Sequence, residues 1–406
     1  MKTKSSGVDI ISVILCLIVL TLLNQPATAQ PPLFQSNIED PGEDLSCTFL
    51  SGGEVICASK APFLGGILAV AHIQNGVFVS GELVNTNTII RGNPSCTNDI
   101  GNPPQVICAV KGFNSELLVT QFNGSTWSEF QDLGGIISGD PSCTYIEIGQ
   151  VLCAVKGTNS ALFVTRCASR EGLRGVDCSE QFERIEPSDV ARFGDPTCAS
   201  LEISSPTIPS VICVIKTFEN TLVFTSCSPD QCTRLSMVGT GRAGTVSSST
   251  SNPRYIGNPD CTTRPIQSRR GVSCVGRSLT HTLILVHYNL SDEARFRNKW
   301  TRDVRASPFR GFVPVPRYIS DPSCAPLTDG PTQMICAAID QRGLALFHRY
   351  REDTPPRGGG DEIAAISANL PAQGNPSCTR EDGAAVVCAA VLTDGTLAIV
   401  RVLPQT

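Results

Sequence analysis

Apolar residues along this chain come in short bursts rather than helical stripes. Val106-Ile107-Cys108-Ala109-Val110, Val151-Leu152-Cys153-Ala154-Val155 and Val211-Ile212-Cys213-Val214-Ile215 are unbroken apolar runs. Runs this short suit strands buried on both faces. A second run follows each, as in Leu117-Leu118-Val119-Thr120-Gln121-Phe122, then a turn and a further strand-like stretch from Ser125 to Phe130. Asn123-Gly124 between these two is a hairpin signal, because both central residues of such a turn take positive φ. Asn75-Gly76 repeats it. Ahead of each first run stands a turn phrase, such as Gly92-Asn93-Pro94-Ser95-Cys96, Gly139-Asp140-Pro141-Ser142-Cys143 or Gly374-Asn375-Pro376-Ser377-Cys378. Asn or Asp bonds local backbone while Pro fixes φ, so the phrase opens a strand rather than lying inside one.

The cysteines give this pattern its period. Seven pairs recur: Cys47/Cys57, Cys96/Cys108, Cys143/Cys153, Cys198/Cys213, Cys261/Cys274, Cys324/Cys336 and Cys378/Cys388. Offsets within a pair are 10 to 15 residues, and first cysteines recur every 47 to 63. Self-similarity at this period marks a propeller or a solenoid. Each repeat predicts four antiparallel strands, which is one propeller blade. The fold expected is therefore all-β, a seven-bladed β-propeller with one disulfide inside each blade, spanning residues 30–406 as a single domain. The last repeat stops after its third strand, at Thr396 to Val402, so Leu33 to Ile38 is expected to supply the fourth and close the ring. An open β-solenoid is the competing architecture, but the sequence carries no evident capping repeat.

Four further cysteines extend the scheme. Cys167 and Cys227 each lie 14 residues past the second cysteine of their repeat, and Cys178 and Cys232 follow across a turn. Pairs Cys167–Cys178 and Cys227–Cys232 should staple the outer hairpins of repeats three and four. Residues 1–29 read as a signal peptide: Lys2 and Lys4, an apolar stretch from Ile10 to Leu23, and Ala27-Thr28-Ala29 before Gln30. Cleavage removes Cys16 and leaves an even number of cysteines in a chain bound for an oxidising compartment. The expected location is extracellular, or periplasmic if the host is bacterial, without stable membrane insertion.

From Trp127 the chain reads W-S-E-F-Q-D-L-G-G, and from Val155 it reads V-K-G-T-N-S-A-L. These phrases resemble the PLL-type seven-bladed propeller lectins, whose repeats run W-x-x-W/F-x-x-L-G-G and then V-x-G-x-D/N-x-x-L. The resemblance is good over repeats two and three and fades beyond them. It implies a propeller fold and binding of sugars, such as fucose, in clefts between blades. Those lectins are rich in Trp, whereas this chain holds two Trp and five Tyr. Most of the aromatic platforms that stack on sugar rings are therefore missing, and no sugar contact is carried over.

Candidate chemistry is sparse. Four residues past the third-strand leucine come His72, Gln121, Arg166, Ser226, His287, His348 and Arg401, a polar position in every repeat. It is either a ligand-contacting ring or the point where the third strand reaches solvent. Net charge is −5, which gives no global attraction to nucleic acid. Yet Arg254 to Arg317 holds 12 Lys and Arg against 4 Asp and Glu. Arg295, Arg297, Lys299, Trp300 and Arg302 crowd the long insertion between repeats five and six. Arginine forks there suit an acidic glycan or acidic partner. A solvated loop is the plainer reading.

Asn123-Gly124-Ser125 and Asn289-Leu290-Ser291 match glycan-acceptor sequons. No C-x-x-C, H-E-x-x-H, G-x-S-x-G or phosphate loop is present, so neither metal nor cofactor is expected. A sialidase-like hydrolase is the enzyme alternative, but its Asp-box pattern is not evident. The reading is a secreted, lectin-like binding protein with a glycan or acidic extracellular ligand as partner. An extracellular scaffold that binds protein is the alternative.

Overall fold

Runs of Val, Ile, Cys and Ala pack on both faces of a strand, and that is where the chain puts them. The computed structural model describes residues 44–61, 65–99, 104–169, 176–179, 181–186, 194–201, 210–237, 254–266, 269–279, 281, 283–289, 301–303, 317–327, 333–351, 361–366, 371–381, 385–393 and 396–404. These residues form seven antiparallel sheets and no helix. Sheets are numbered one to seven along the chain. Sheet one holds Ser46–Phe49, Glu54–Ala61, Ile67–Gln74 and Val77–Val84 in spatial order. Sheet two holds Ser95–Asp99, Gln105–Lys111, Leu117–Phe122 and Gln131–Asp132.

In sheet three, Ser142–Glu147, Gln150–Lys156 and Leu162–Ser169 are followed by two pieces, Val176–Cys178 and Glu183–Ile185, both paired to the third strand. Sheets four, five and six repeat the four-strand order, starting at Thr197–Ser200, Asp260–Ile266 and Ser323–Leu327. Sheet seven shows Ala372–Arg380, Val386–Leu392 and Leu397–Val402. The closing strand expected at Leu33 to Ile38 and the signal peptide lie outside the described residues.

The second strands are the buried centres of the sheets, as their continuous apolar runs required. In Val211–Lys216 and Val386–Leu392 every residue is buried. All nine expected disulfides form, with Cα–Cα distances of 3.8–4.1 Å. Register explains the seven inner ones, because first and second strands bring their cysteines face to face. Cys47 stands opposite Cys57, Cys96 opposite Cys108, Cys143 opposite Cys153 and Cys198 opposite Cys213. Cys261 stands opposite Cys274, Cys324 opposite Cys336 and Cys378 opposite Cys388. In the outer hairpins, Cys167 faces Cys178 and Cys227 faces Cys232.

Sheet packs on sheet in a closed circuit. Buried clusters join each sheet to the next, and one of them joins sheet seven to sheet one through Val387, Val391, Cys57 and Ile73. Hydrogen bonds follow the same circuit. The amide of each first cysteine donates to the side chain just before the first cysteine of the preceding sheet. Cys96 N reaches Ser46 Oγ at 2.8 Å, Cys143 N reaches Ser95 Oγ at 2.8 Å and Cys198 N reaches Ser142 Oγ at 2.9 Å. Cys261 N reaches Thr197 Oγ1 at 3.2 Å, Cys324 N reaches Asp260 Oδ2 at 2.7 Å and Cys378 N reaches Ser323 Oγ at 3.0 Å. Cys47 N closes the circuit on Ser377 Oγ at 2.8 Å. The first strands surround a cavity of about 870 Å³.

Candidate functional site

The polar residues of the third strands share one ladder position, with one correction. Ladder register places His72, Gln121, Arg166, Ser226, His287 and Arg401 each opposite the residue before the second cysteine of its sheet. In sheet six that place belongs to Arg349, opposite Ile335, while His348 stands opposite Cys336. The third strand there begins at Ala345, and Leu344 belongs to the preceding turn. A shift of one residue turns a side chain to the other face. His348 is buried, as are Gln121, Ser226 and Arg349 at the polar position itself; His348 Nε2 lies 2.6 Å from Tyr318 Oη, and burial pushes the His348 pKa down to about 4.

His72 and Arg166 reach toward the next sheet. The boundary between sheets one and two joins several polar and aromatic groups. His72 Nδ1 lies 2.9 Å from Glu54 Oε1, and its Nε2 lies 3.0 Å from Glu82 Oε1. Trp127 Nε1, from sheet two, donates to the same Glu82 oxygen at 2.7 Å. The His72 ring stands edge-on to Phe122 at 5.5 Å, and Phe122 lies 5.1 Å from Trp127. Asn85 Nδ2 donates across the boundary to Ser128 O at 2.9 Å. Glu82 is exposed and Trp127 half-buried, so a carboxylate, an imidazole and an indole meet where the boundary between the two sheets reaches the surface. Carboxylate and imidazole can bond neighbouring hydroxyls, while the indole offers a face to C–H groups.

Sheets three and four repeat the polar half of this arrangement. Arg166 Nη1 donates to Glu183 Oε2 at 2.8 Å, and Cys232 N from sheet four donates to Glu183 Oε1 at 3.1 Å. The aromatic half differs. Phe122 faces Trp127 across an isolated bridge, and Cys227 faces Cys232 in the same way. Phe122, Cys167 and Cys227 all sit opposite the residue two before the second cysteine of their sheets. An aromatic pair in sheet two thus takes the slot that disulfides fill in sheets three and four.

Turn residues build a second polar constellation, at one end of the axial cavity. Asn93 N donates to Asp140 Oδ1 at 3.1 Å, and Asn93 Nδ2 donates to Asp44 Oδ2 at 3.0 Å and Asp140 Oδ2 at 2.9 Å. Asp195 N reaches Asn258 Oδ1 at 3.1 Å, Asn258 N reaches Asp321 Oδ2 at 2.9 Å and Asp321 N reaches Asn375 Oδ1 at 2.7 Å. Asn375 N returns to Asp44 Oδ1 at 2.9 Å. Burial raises the pKa of Asp44 to about 7 and of Asp140 to about 6, with neighbouring carboxylates adding to both shifts. Lys156 lies 3.6 Å from Asp195, and Arg277 lies 3.4 Å from Asp321. Among the described residues, no group of three or more His, Cys, Asp or Glu is arranged to hold a metal ion.

The basic insertion contributes little that can be placed. Arg295, Arg297, Lys299 and Trp300 lie outside the described residues. Arg302 stands opposite Val286 at a sheet edge, and His287 stands opposite Ser273 and Thr301. Sequence reasoning missed Glu82, Glu183 and Arg349. The first two sit on outer strands and join a residue of their own sheet to one of the next repeat, and the third was hidden by the displaced leucine.

No family model and no curated protein sequence matches the chain. Solved structures do. BP39L lectin from Burkholderia pseudomallei aligns at 14% identity over 89% of this chain and 96% of its own, with a TM-score of 0.61. AofleA from Arthrobotrys oligospora aligns at 12% identity over 84% of this chain and 89% of its own, with a TM-score of 0.51. These likenesses establish a shared fold. A fungal lectin from Aleuria aurantia, a six-bladed β-propeller that recognises fucose, aligns at 9% identity over 82% of this chain and 97% of its own, with a TM-score of 0.48.

Proposed function

We propose that this chain is a secreted, seven-bladed β-propeller of four-stranded blades that binds glycans. Its working site is the cleft between sheets one and two. The observation that carries this reading is the meeting of His72, Glu82 and Trp127 across one sheet boundary, with Glu82 open to solvent. A sugar needs hydroxyl partners on one side and an apolar face on the other, and this cleft supplies both. The likeness to the Burkholderia pseudomallei lectin supports the reading at the level of fold, and makes binding a better expectation than catalysis. The sequence resemblance to propeller lectins makes fucosides the first ligands to try.

A glycan array followed by titration calorimetry tests it. Wild-type protein should retain one class of glycan. Trp127→Ala should weaken binding about tenfold, from loss of stacking worth about 1 kcal/mol and of its hydrogen bond. Glu82→Gln should weaken it as well, through the hydroxyl bonds. Unchanged affinity in both variants would remove the cleft from consideration. A wild type that retains no glycan, alongside a co-purifying protein, would favour the scaffold reading.

A further inference from the structure

The hairpin that presents Trp127 carries a motif the cleft itself does not use. Asn123-Gly124-Ser125 has the Asn-X-Ser pattern of an N-glycan acceptor. The turn holds its amide in one orientation. Asn123 Oδ1 accepts from Ser125 N at 3.0 Å, Ser125 Oγ at 2.9 Å and Thr126 N at 2.9 Å. With the oxygen bound into the turn, the amide nitrogen lies on the opposite side of the carboxamide. Gly124, Ser125 and Thr126 are exposed, and a Cβ built on Gly124 meets nothing within 4 Å. A branched sugar attached here has room. The second sequon differs, because Asn289 pairs with Gly271 within a strand ladder.

Position gives the modification a consequence. Asn123 follows Phe122 directly, and the turn it opens ends at Trp127, which pairs with Phe122 across the hairpin. The acceptor therefore stands at the rim of the cleft. We propose that Asn123 is an N-glycosylation site and that its glycan screens the cleft between sheets one and two. The screening half rests on the reading of that cleft as a sugar site.

The chemistry balances with one co-reactant, a lipid-pyrophosphate-linked oligosaccharide of a secretory host. The Asn123 Nδ2–C1 bond forms, the C1–O bond to pyrophosphate breaks, and the proton lost from Nδ2 passes to solvent or to the departing pyrophosphate. The lipid pyrophosphate is the leaving group.

Peptide mapping of protein secreted from a glycosylating eukaryotic host tests the first half. Release with an N-glycosidase in heavy-oxygen water should leave a heavy-oxygen aspartate at position 123. The signal should vanish in Ser125→Ala, which keeps the asparagine but breaks the sequon. An unmodified Asn123, in cells that glycosylate a co-expressed control protein, overturns the site. Titration of a methyl fucoside and of array-selected glycans tests the second half. Enzymatic removal of the glycan should tighten binding several-fold. Equal affinity before and after removal overturns the screening and leaves the attachment site standing. If neither form binds any sugar, the cleft reading itself fails, whatever the peptide map shows.

Discussion

A glycine precedes the Asn or Asp of most turn phrases because of the neighbouring sheet. A Cβ on Gly194 would fall 2.6 Å from Asn258 Oδ1, and Gly92 meets Asp140 in the same way. The phrase was legible as a turn. Its inter-sheet bonds were not, since partners such as Asn258 and Asp195 lie 63 residues apart. Asp260 is the sharpest single departure from the repeat. It stands where five other sheets use serine and one uses threonine, and accepts the Cys324 amide at 2.7 Å. Burial raises its pKa from 3.8 to about 7. A raised folded value means the contribution is complete below about pH 4 and is lost as pH rises through 7. Asp260→Ser keeps an acceptor for Cys324 N and removes the titration. Thermal unfolding across pH 4 to 8 should show a flatter profile for the variant, by an amount on the order of a few kcal/mol. Parallel profiles would show that Asp260 carries no such linkage. The same scale holds the one error of register. Leucine marks the third strand in most repeats, but in sheet six it belongs to the turn, so the polar position falls to Arg349 rather than His348.

Hairpins explain why the staples could be read and the cleft could not. A disulfide inside a hairpin joins residues 5 to 15 apart, so its period shows in the sequence. Trp127 and Glu82 are 45 residues apart on different sheets, and no local spacing connects them. Their equivalents in sheets three and four are nonetheless recognisable once the ladder is known. Arg166 and Glu183 stand where His72 and Glu82 stand, and Cys227–Cys232 fills the slot of Phe122 and Trp127. Cys227→Phe combined with Cys232→Trp should therefore rebuild an aromatic wall in front of an existing cation–carboxylate pair. Calorimetry should find twice as much sugar bound per chain as in wild type. The loss of the disulfide, which spans only 5 residues, should cost about 2 kcal/mol in denaturant unfolding. Unchanged stoichiometry in a variant that still folds would break the equivalence between the two clefts.

At the scale of the molecule, seven sequence repeats, an odd number, leave a mark on the ring of turn residues around the cavity. Its side chains run Asp44, Asn93, Asp140, Asp195, Asn258, Asp321 and Asn375 around the cavity. Asparagine amides donate to neighbouring carboxylates, so alternation of the two residues satisfies both. Seven positions cannot alternate fully, and somewhere two like residues must meet. They meet at Asp140 and Asp195, whose repulsion adds to burial in raising the Asp140 pKa to about 6. Lys156 beside Asp195 and Lys111 beside Asp140 offset the clash in part. Asp140→Asn moves the like pair to positions 93 and 140, where both side chains are then uncharged, and supplies a donor toward Asp195. Asn93 Nδ2 keeps its bond to Asp44 Oδ2 at 3.0 Å. The folded pKa lies above its ordinary value, so wild-type stability from this group is present at low pH and lost as pH rises through about 6. Asp140→Asn should then match the wild-type melting temperature near pH 4 and exceed it at pH 8. A variant less stable than wild type at pH 8 would mean that the bond from Asn93 outweighs the meeting of two carboxylates.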